Sequence, residues 1–179
     1  MSSLPAVLIV LRGNSASGKS TLAHRIQRTL PRGRVAVIGQ DHVRREMLWS
    51  WDRPDNDAIG LIGHITRYCL ELGRVTVVEG ILVRERYETM LTGLLDEQRA
   101  HGRSSLIYYL DIPLPETLRR HAGKPLADHV SEEQVFSWYA PHDVLGCPGE
   151  QVFDESWSED AILERILGDL QAIDGTTGY

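Results

Sequence analysis

Gly13-Asn14-Ser15-Ala16-Ser17-Gly18-Lys19-Ser20 has the spacing G-x-x-x-x-G-K-[ST], that of a loop that cradles phosphates between a strand and a helix. The flanking sequence supplies that context. Before the loop, Val7-Leu8-Ile9-Val10-Leu11 is an apolar run of strand length; after it, Leu22, Ile26 and Leu30 recur at helical spacing. A loop that aims successive N–H groups at one anion passes through backbone conformations closed to most side chains, and Gly13 and Gly18 permit them. The helix starting near Lys19 adds its dipole and its unpaired N–H groups to the same cradle. On this reading Gly13, Ser15, Ala16, Ser17, Gly18, Lys19, Ser20 and Thr21 hold ATP, with Lys19 reaching the β- and γ-phosphates and the Ser20 hydroxyl ligating Mg²⁺.

Outward from the loop, the chain alternates strand and helix. Val35-Ala36-Val37-Ile38 reads as a second strand, ending at Gly39-Gln40-Asp41, and Asp41 starts or caps the helix that follows. Arg44 lies three residues on, on the same face. Trp49, Trp51, Arg53 and Pro54 form an aromatic, turn-rich passage that either walls an acceptor pocket or packs as local core. A helix over 57–72 stops at Gly73, and Val75-Thr76-Val77-Val78 is a third strand ending in the carboxylate of Glu79. A helix from about Glu85 to Ala100, a strand from Leu106 to Leu110 that ends at Asp111, and a short helix from Glu116 to His121 come next. Ala122 to Val130, around Gly123-Lys124-Pro125, has no periodicity and reads as a loop; Ser131-Glu132-Glu133-Gln134 then fits a capping box. Gln151-Val152-Phe153 is a last short strand, Ser158 caps a terminal helix, and Asp174 to Tyr179 reads as a frayed tail.

Five strand–helix alternations predict a parallel sheet covered on both faces, a three-layer α/β/α fold, with ligands gathered at the carboxyl ends of the strands. The loop, Asp41 and Glu79 therefore share one edge. At 179 residues, without linker or repeat, the chain is expected to be a single domain over 1–179, with a short lid over about 120–131. No apolar run is long enough to span a bilayer and no signal-peptide layout precedes the first strand, so a cytoplasmic protein is expected. Cys69 and Cys147 stand far apart and in no C-x-x-C pattern, which suits a reducing compartment.

The net charge of −6 argues mildly against a long nucleic-acid partner. Its distribution is uneven: residues 1–53 carry nine Lys/Arg against three Asp/Glu, a surplus that would steer a polyanion such as ATP toward the phosphate loop. Of nineteen basic residues only Lys19 and Lys124 are lysine, which marks Lys124 for attention.

These features resemble those of P-loop kinases, and within them the kinase domain of polynucleotide kinases and their AAA-type small relatives, the zeta-toxin-like and chloramphenicol-phosphotransferase-like enzymes. The resemblance runs from the phosphate loop to about residue 146. It implies a nucleoside-kinase-like P-loop fold with a lid. Asp41-His42-Val43-Arg44 matches the family's D-x-x-R motif, whose Asp is the general base on the acceptor hydroxyl and whose Arg contacts a phosphate of the acceptor nucleotide. Asp111-Ile112-Pro113, Glu116 and Arg119-Arg120 look like the family's fourth strand and the helix leading to its lid, with Arg120 clamping ATP phosphates; Lys124 falls where a lid arginine is usual. Glu79-Gly80-Ile81 departs from the family's Asp-Thr-Asn on the acceptor side, which counts against a nucleic-acid substrate.

Phosphoryl transfer independently asks for charge neutralisation and a base. Lys19, Arg120 and Lys124 can supply the charge and Asp41 the base, while Glu79 can hold a metal-bound water or an acceptor hydroxyl. Arg84, just ahead of its helix, joins Asp41, Arg44 and Glu79 as a candidate acceptor-side residue. The expected function is an ATP-dependent kinase of a hydroxyl-bearing small molecule; a polynucleotide 5′-hydroxyl kinase is the alternative, and a non-catalytic ATP-binding regulator a more distant one. The guanine-specific [NT]-K-x-D signature is absent, which argues against a GTPase switch.

Overall fold

The computed structural model describes residues 5–122 and 131–176. Five strands, β1 (Val7–Gly13), β2 (Val35–Gly39), β3 (Val75–Gly80), β4 (Ser105–Asp111) and β5 (Glu150–Asp154), form one sheet in the order β2-β3-β1-β4-β5. Each neighbouring pair is parallel. β1 lies at the centre and every one of its residues is buried, as a strand covered on both faces must be. Its side chains alternate between two cores. Val7, Ile9 and Leu11 pack with Leu22 and Ile26 of α1 (Lys19–Thr29) and Ile166 and Leu170 of α6 (Glu159–Thr176). Leu8 and Val10 pack with Ile62 of α2 (Asp57–Glu71) and Tyr87 and Leu91 of α3 (Arg84–Ala100). This is the expected three-layer fold. Each large aliphatic side chain so buried contributes about 1.5–3 kcal/mol.

The punctuation read from the sequence is where the chain turns. Asn56 accepts a hydrogen bond from the Ala58 N–H at the head of α2, and Gly73 leaves it in a left-handed conformation (φ 73°). Leu114–Ala122 is α4, with Pro115 tolerated in its first turn. Ser131 and Gln134 close the capping box of α5 (Glu132–Trp138). Ser158 Oγ accepts from the Ala161 N–H at the start of α6.

Two expectations are corrected. Of the frayed tail expected over 174–179, residues 174–176 instead continue α6, whose Ile173 still packs against the core, and 177–179 lie outside the described residues. After β2 the chain does not wind as an ordinary α-helix. His42–Met47 is a π-helix, with the Leu48 N–H bonding the Val43 carbonyl, and Asp41 gives it no side-chain cap. Lys124 and the core of the expected lid lie outside the described residues. No helix among the described residues is long and apolar enough to cross a membrane.

Parallel register carries the strand ends to one edge. Gly39 of β2 is paired with Glu79 of β3, Arg12 of β1 with Gly80, and Gly13 with Leu110 of β4.

Candidate active site

The phosphate loop is built from that edge. A Cβ on Gly13 would stand 2.6 Å from the Leu110 carbonyl oxygen, so the turn out of β1 accepts only glycine. Gly18 delivers the chain into α1 at φ 103°, a left-handed approach that side chains resist. Lys19 is buried and folds back over the loop, its Nζ donating to the Asn14 carbonyl at 2.7 Å and to Ser17 Oγ at 3.1 Å. The ammonium thus sits inside the ring of the loop that the sequence assigns to phosphate.

Beside it, Ser20 Oγ donates to Glu79 Oε1 at 3.1 Å. Burial pushes the Glu79 carboxyl above its ordinary range, partly offset by the nearby Lys19 charge and the Ser20 hydrogen bond. Glu79 is also in close quarters with β2, since a Cβ on Gly39 would come within 2.9 Å of Oε1. A hydroxyl and a carboxylate side by side at the head of α1 are hard oxygen donors of the kind Mg²⁺ takes, so the residues present fit that ion.

Asp41 lies one residue past Gln40 and contributes to the field at Glu79. Its Oδ1 accepts from Arg44 Nη2 at 2.9 Å and forms an ion pair with Arg45, whose Nε lies 3.2 Å away. The Asp41 side chain is 63% exposed whereas that of Arg44 is 9% exposed. The second terminal nitrogen of Arg44, Nη1, is taken up by the Ser50 carbonyl at 3.1 Å.

A cleft of about 780 Å³ opens on the other side of the loop, lined by Ala16–Gly18, Thr21, Arg119, Arg120 and Trp157 among others. Arg120 therefore borders it as expected, but is not idle: Arg119 and Arg120 both pair with Glu116, whose carboxyl these hydrogen bonds hold down at about 2. Arg84 does not join Asp41. Its guanidinium pairs with Glu88 one turn along α3.

Residues 8–142 match the family described as an AAA domain. The chain belongs to that AAA-domain family. No curated protein is significantly similar to it in sequence. By fold, this AAA domain is similar to the APS kinase of Mycobacterium tuberculosis solved with AMPPNP and APS, at 17% identity and TM-score 0.69, over 94% of this chain and 98% of that one. It is similar to a gluconokinase from Sinorhizobium meliloti 1021, at 17% identity and TM-score 0.64, over 96% and 95%. It is also similar to the tunicamycin resistance protein of Deinococcus radiodurans, at 17% identity and TM-score 0.59, over 92% and 95%. The fold is that of the P-loop small kinases.

The site of this AAA domain rests on residues the sequence reading passed over. Arg12 is fully buried and ties β1 to two loops: Nε and Nη2 donate to the Leu82 carbonyl beyond Glu79, and Nη2 to Asp143 Oδ2 at 2.7 Å. The Asn14 carboxamide accepts from the Ala140 N–H and donates to its carbonyl, both at 2.9 Å. The segment that follows α5 is thereby pinned to the phosphate loop. Gln40 does the same for β2 and the segment after β3, accepting from the Leu82 N–H at 3.0 Å and donating to Tyr87 Oη at 2.9 Å. A charge ending an otherwise apolar strand was the available signal for Arg12; Asp143 and Gln40 carry none in their local sequence.

Proposed function

We propose that the chain is an ATP-dependent kinase that moves the γ-phosphoryl group to the hydroxyl of a small-molecule acceptor, with Asp41 as general base. One observation carries this reading. The Asp41 carboxylate bonds no helix N–H; two arginines orient it, at the strand edge that also holds Lys19, Ser20 and Glu79. A carboxylate oriented by ion pairs and still open to solvent is free to take a proton from a hydroxyl bound beside it.

In this mechanism Lys19 and Arg120 offset the charge of the transferring group, Arg120 by exchanging Glu116 for phosphate. Asp41 takes the acceptor proton and passes it to water through its exposed face. Ser20 and Glu79 would hold Mg²⁺, which when bound neutralises phosphate charge. The raised affinity of Glu79 for protons is the mark of a buried carboxylate that gains from a cation beside it.

Arg44 supports a small, uncharged acceptor over a polynucleotide end. Both of its terminal nitrogens are engaged within the chain and its side chain is 9% exposed, so it orients Asp41 instead of reaching outward to a phosphate. Similarity in fold to an APS kinase and a gluconokinase agrees with a small acceptor.

The test is acceptor-stimulated ADP release across neutral polyols, sugars, nucleosides and 5′-hydroxyl oligonucleotides, repeated with Arg44→Ala. A small neutral acceptor with kcat lowered and KM nearly unchanged in the variant is the expected result. Efficient phosphorylation of an oligonucleotide, dependent on its 3′-phosphate and lost in Arg44→Ala, overturns it.

A further inference from the structure

The two arginines on Asp41 are held in different ways. Arg44 is buried and fixed from two sides, by Asp41 and by the Ser50 carbonyl. The Arg45 side chain is 36% exposed, and its Nε stands 3.2 Å from Asp41 Oδ1. An ion pair so open to water orients its partner weakly by itself, because solvent screens it and a long side chain swings away. Among the described residues no hydrogen bond or further ion pair holds this side chain, but a ring does. The Arg45 guanidinium carbon lies over the Trp138 ring, 5.3 Å from its centre, within the range in which an indole face attracts a cation. A guanidinium can turn its flat face to a ring and its N–H edge to a carboxylate, so one group serves both contacts.

Trp138 reaches Arg45 from the opposite flank of the site. It is the last residue of α5, and the two residues after it are anchored beside the phosphate loop. Tyr139 Oη donates to the Ile112 carbonyl, just past β4, at 3.3 Å, and Ala140 is clasped to Asn14. Arg45 belongs to the π-helix that follows β2, whereas Trp138 is carried by a segment tied to the loops after β1 and β4. In the sheet, β3 with Glu79 lies between β2 and β1. The contact therefore joins the two flanks of the strand edge that holds Lys19, Ser20 and Glu79.

We propose that Trp138 is a positioning residue for Asp41, acting through Arg45. The indole clamps the guanidinium by its face and keeps Nε on Asp41 Oδ1. Oδ2, which accepts no hydrogen bond among the described residues, is left to take the acceptor proton. The aim of the base is thus set from the same segment that braces the phosphate loop. This rests on the reading of Asp41 as the base.

The clamp is read first without any acceptor. In the isotope-labelled intact protein, the NMR resonance of the Arg45 Nε–H, identified by its loss in Arg45→Lys, reports exchange with water. Trp138→Leu should speed that exchange about two- to fivefold, the factor that an exposed cation–π contact is worth, while Trp138→Phe keeps a ring face and stays near wild type. The same variants are then assayed for ADP release at saturating ATP, with glycerol, methyl β-glucoside and thymidine as acceptor probes. With a probe that stimulates release, Trp138→Leu is expected to lower kcat about three- to tenfold and leave the acceptor KM nearly unchanged, with Trp138→Phe recovering most of the loss. Trp138→Leu combined with Arg45→Lys should lose no more than the worse single variant. Unchanged exchange in Trp138→Leu, single losses that multiply in the double variant, or faster exchange with kcat intact each overturn the proposal. Faster exchange with no probe stimulating ADP release upholds the clamp and overturns the small-acceptor kinase.

Discussion

At Asp41 a single residue could have been a base or a cap, and its contacts are those of the proposed base. Its carboxylate meets Arg44 and Arg45 and no backbone N–H. Asp41→Asn is therefore expected to reduce transfer by roughly 10²–10⁴-fold while shifting stability by no more than about 0.5 kcal/mol; paired turnover and urea-melt measurements check both halves. Glu79 invites a test by pH. Burial raises its folded pKa above the ordinary 4.5, so as pH rises past that value the unfolded chain releases its proton first and the folded state loses stability until the folded group has ionised too. Glu79→Gln removes this loss. Without ATP or Mg²⁺ the variant should melt above the wild type at pH 7, with the gap closing as pH falls to about 4.5, while its apparent Mg²⁺ affinity in transfer assays falls. A wild type that melts at the same temperature as the variant at pH 7 would show that Glu79 carries no such burden.

At the scale of elements, the proposed acceptor side depends on β2 and β3 approaching closely at their ends. A Cβ on Gly80 would meet Gln40 Cβ and Oε1 at 2.5 Å, and Gln40 is what holds the Leu82 N–H and the Tyr87 hydroxyl. Gly80→Ala is expected to cost about 1–3 kcal/mol by overpacking and to lower kcat, because Asp41 directly follows Gln40. A variant that melts lower yet keeps wild-type turnover would uncouple the base from this junction. The π-helix matters for the same reason. Its wider turn keeps Arg44 on Asp41 while bringing the Ser50 carbonyl back to the same guanidinium, so one arginine orients the proposed base and holds the backbone at Ser50.

Across the whole molecule, Arg12 joins the centre of the sheet to a segment 131 residues away. Burial lowers its affinity for its proton, and the carboxylates of Asp143 and Glu150 counter that effect. Its guanidinium also lies 5.6 Å from the centre of the Tyr109 ring. Removing one member of so buried a pair leaves the other uncompensated. Arg12→Met is expected to cost about 3–5 kcal/mol in denaturant unfolding, and the surviving folded fraction should show weakened ATP binding because the Asp143 segment no longer braces the phosphate loop. Full retention of stability would mean that the Asn14–Ala140 clasp alone suffices to hold that segment.

The phosphate loop, the strand–helix order and the shared edge of Asp41 and Glu79 were legible in the sequence, because each follows from signals a few residues long. Glycines where side chains are forbidden, apolar periods of two and 3.6, and the rule that parallel strands share a direction are all local or topological. Tertiary structure alone decided what those residues touch. That Asp41 is oriented rather than capping, that Arg84 turns to Glu88, that Trp49 and Trp51 stand in water, and that Arg12 and Asn14 hold Asp143 and Ala140 all depend on contacts outside the local pattern. The last two bridge more than a hundred residues. Such partners meet only when the sheet closes, and spacing along a single chain carries no trace of which of its polar side chains will find each other there.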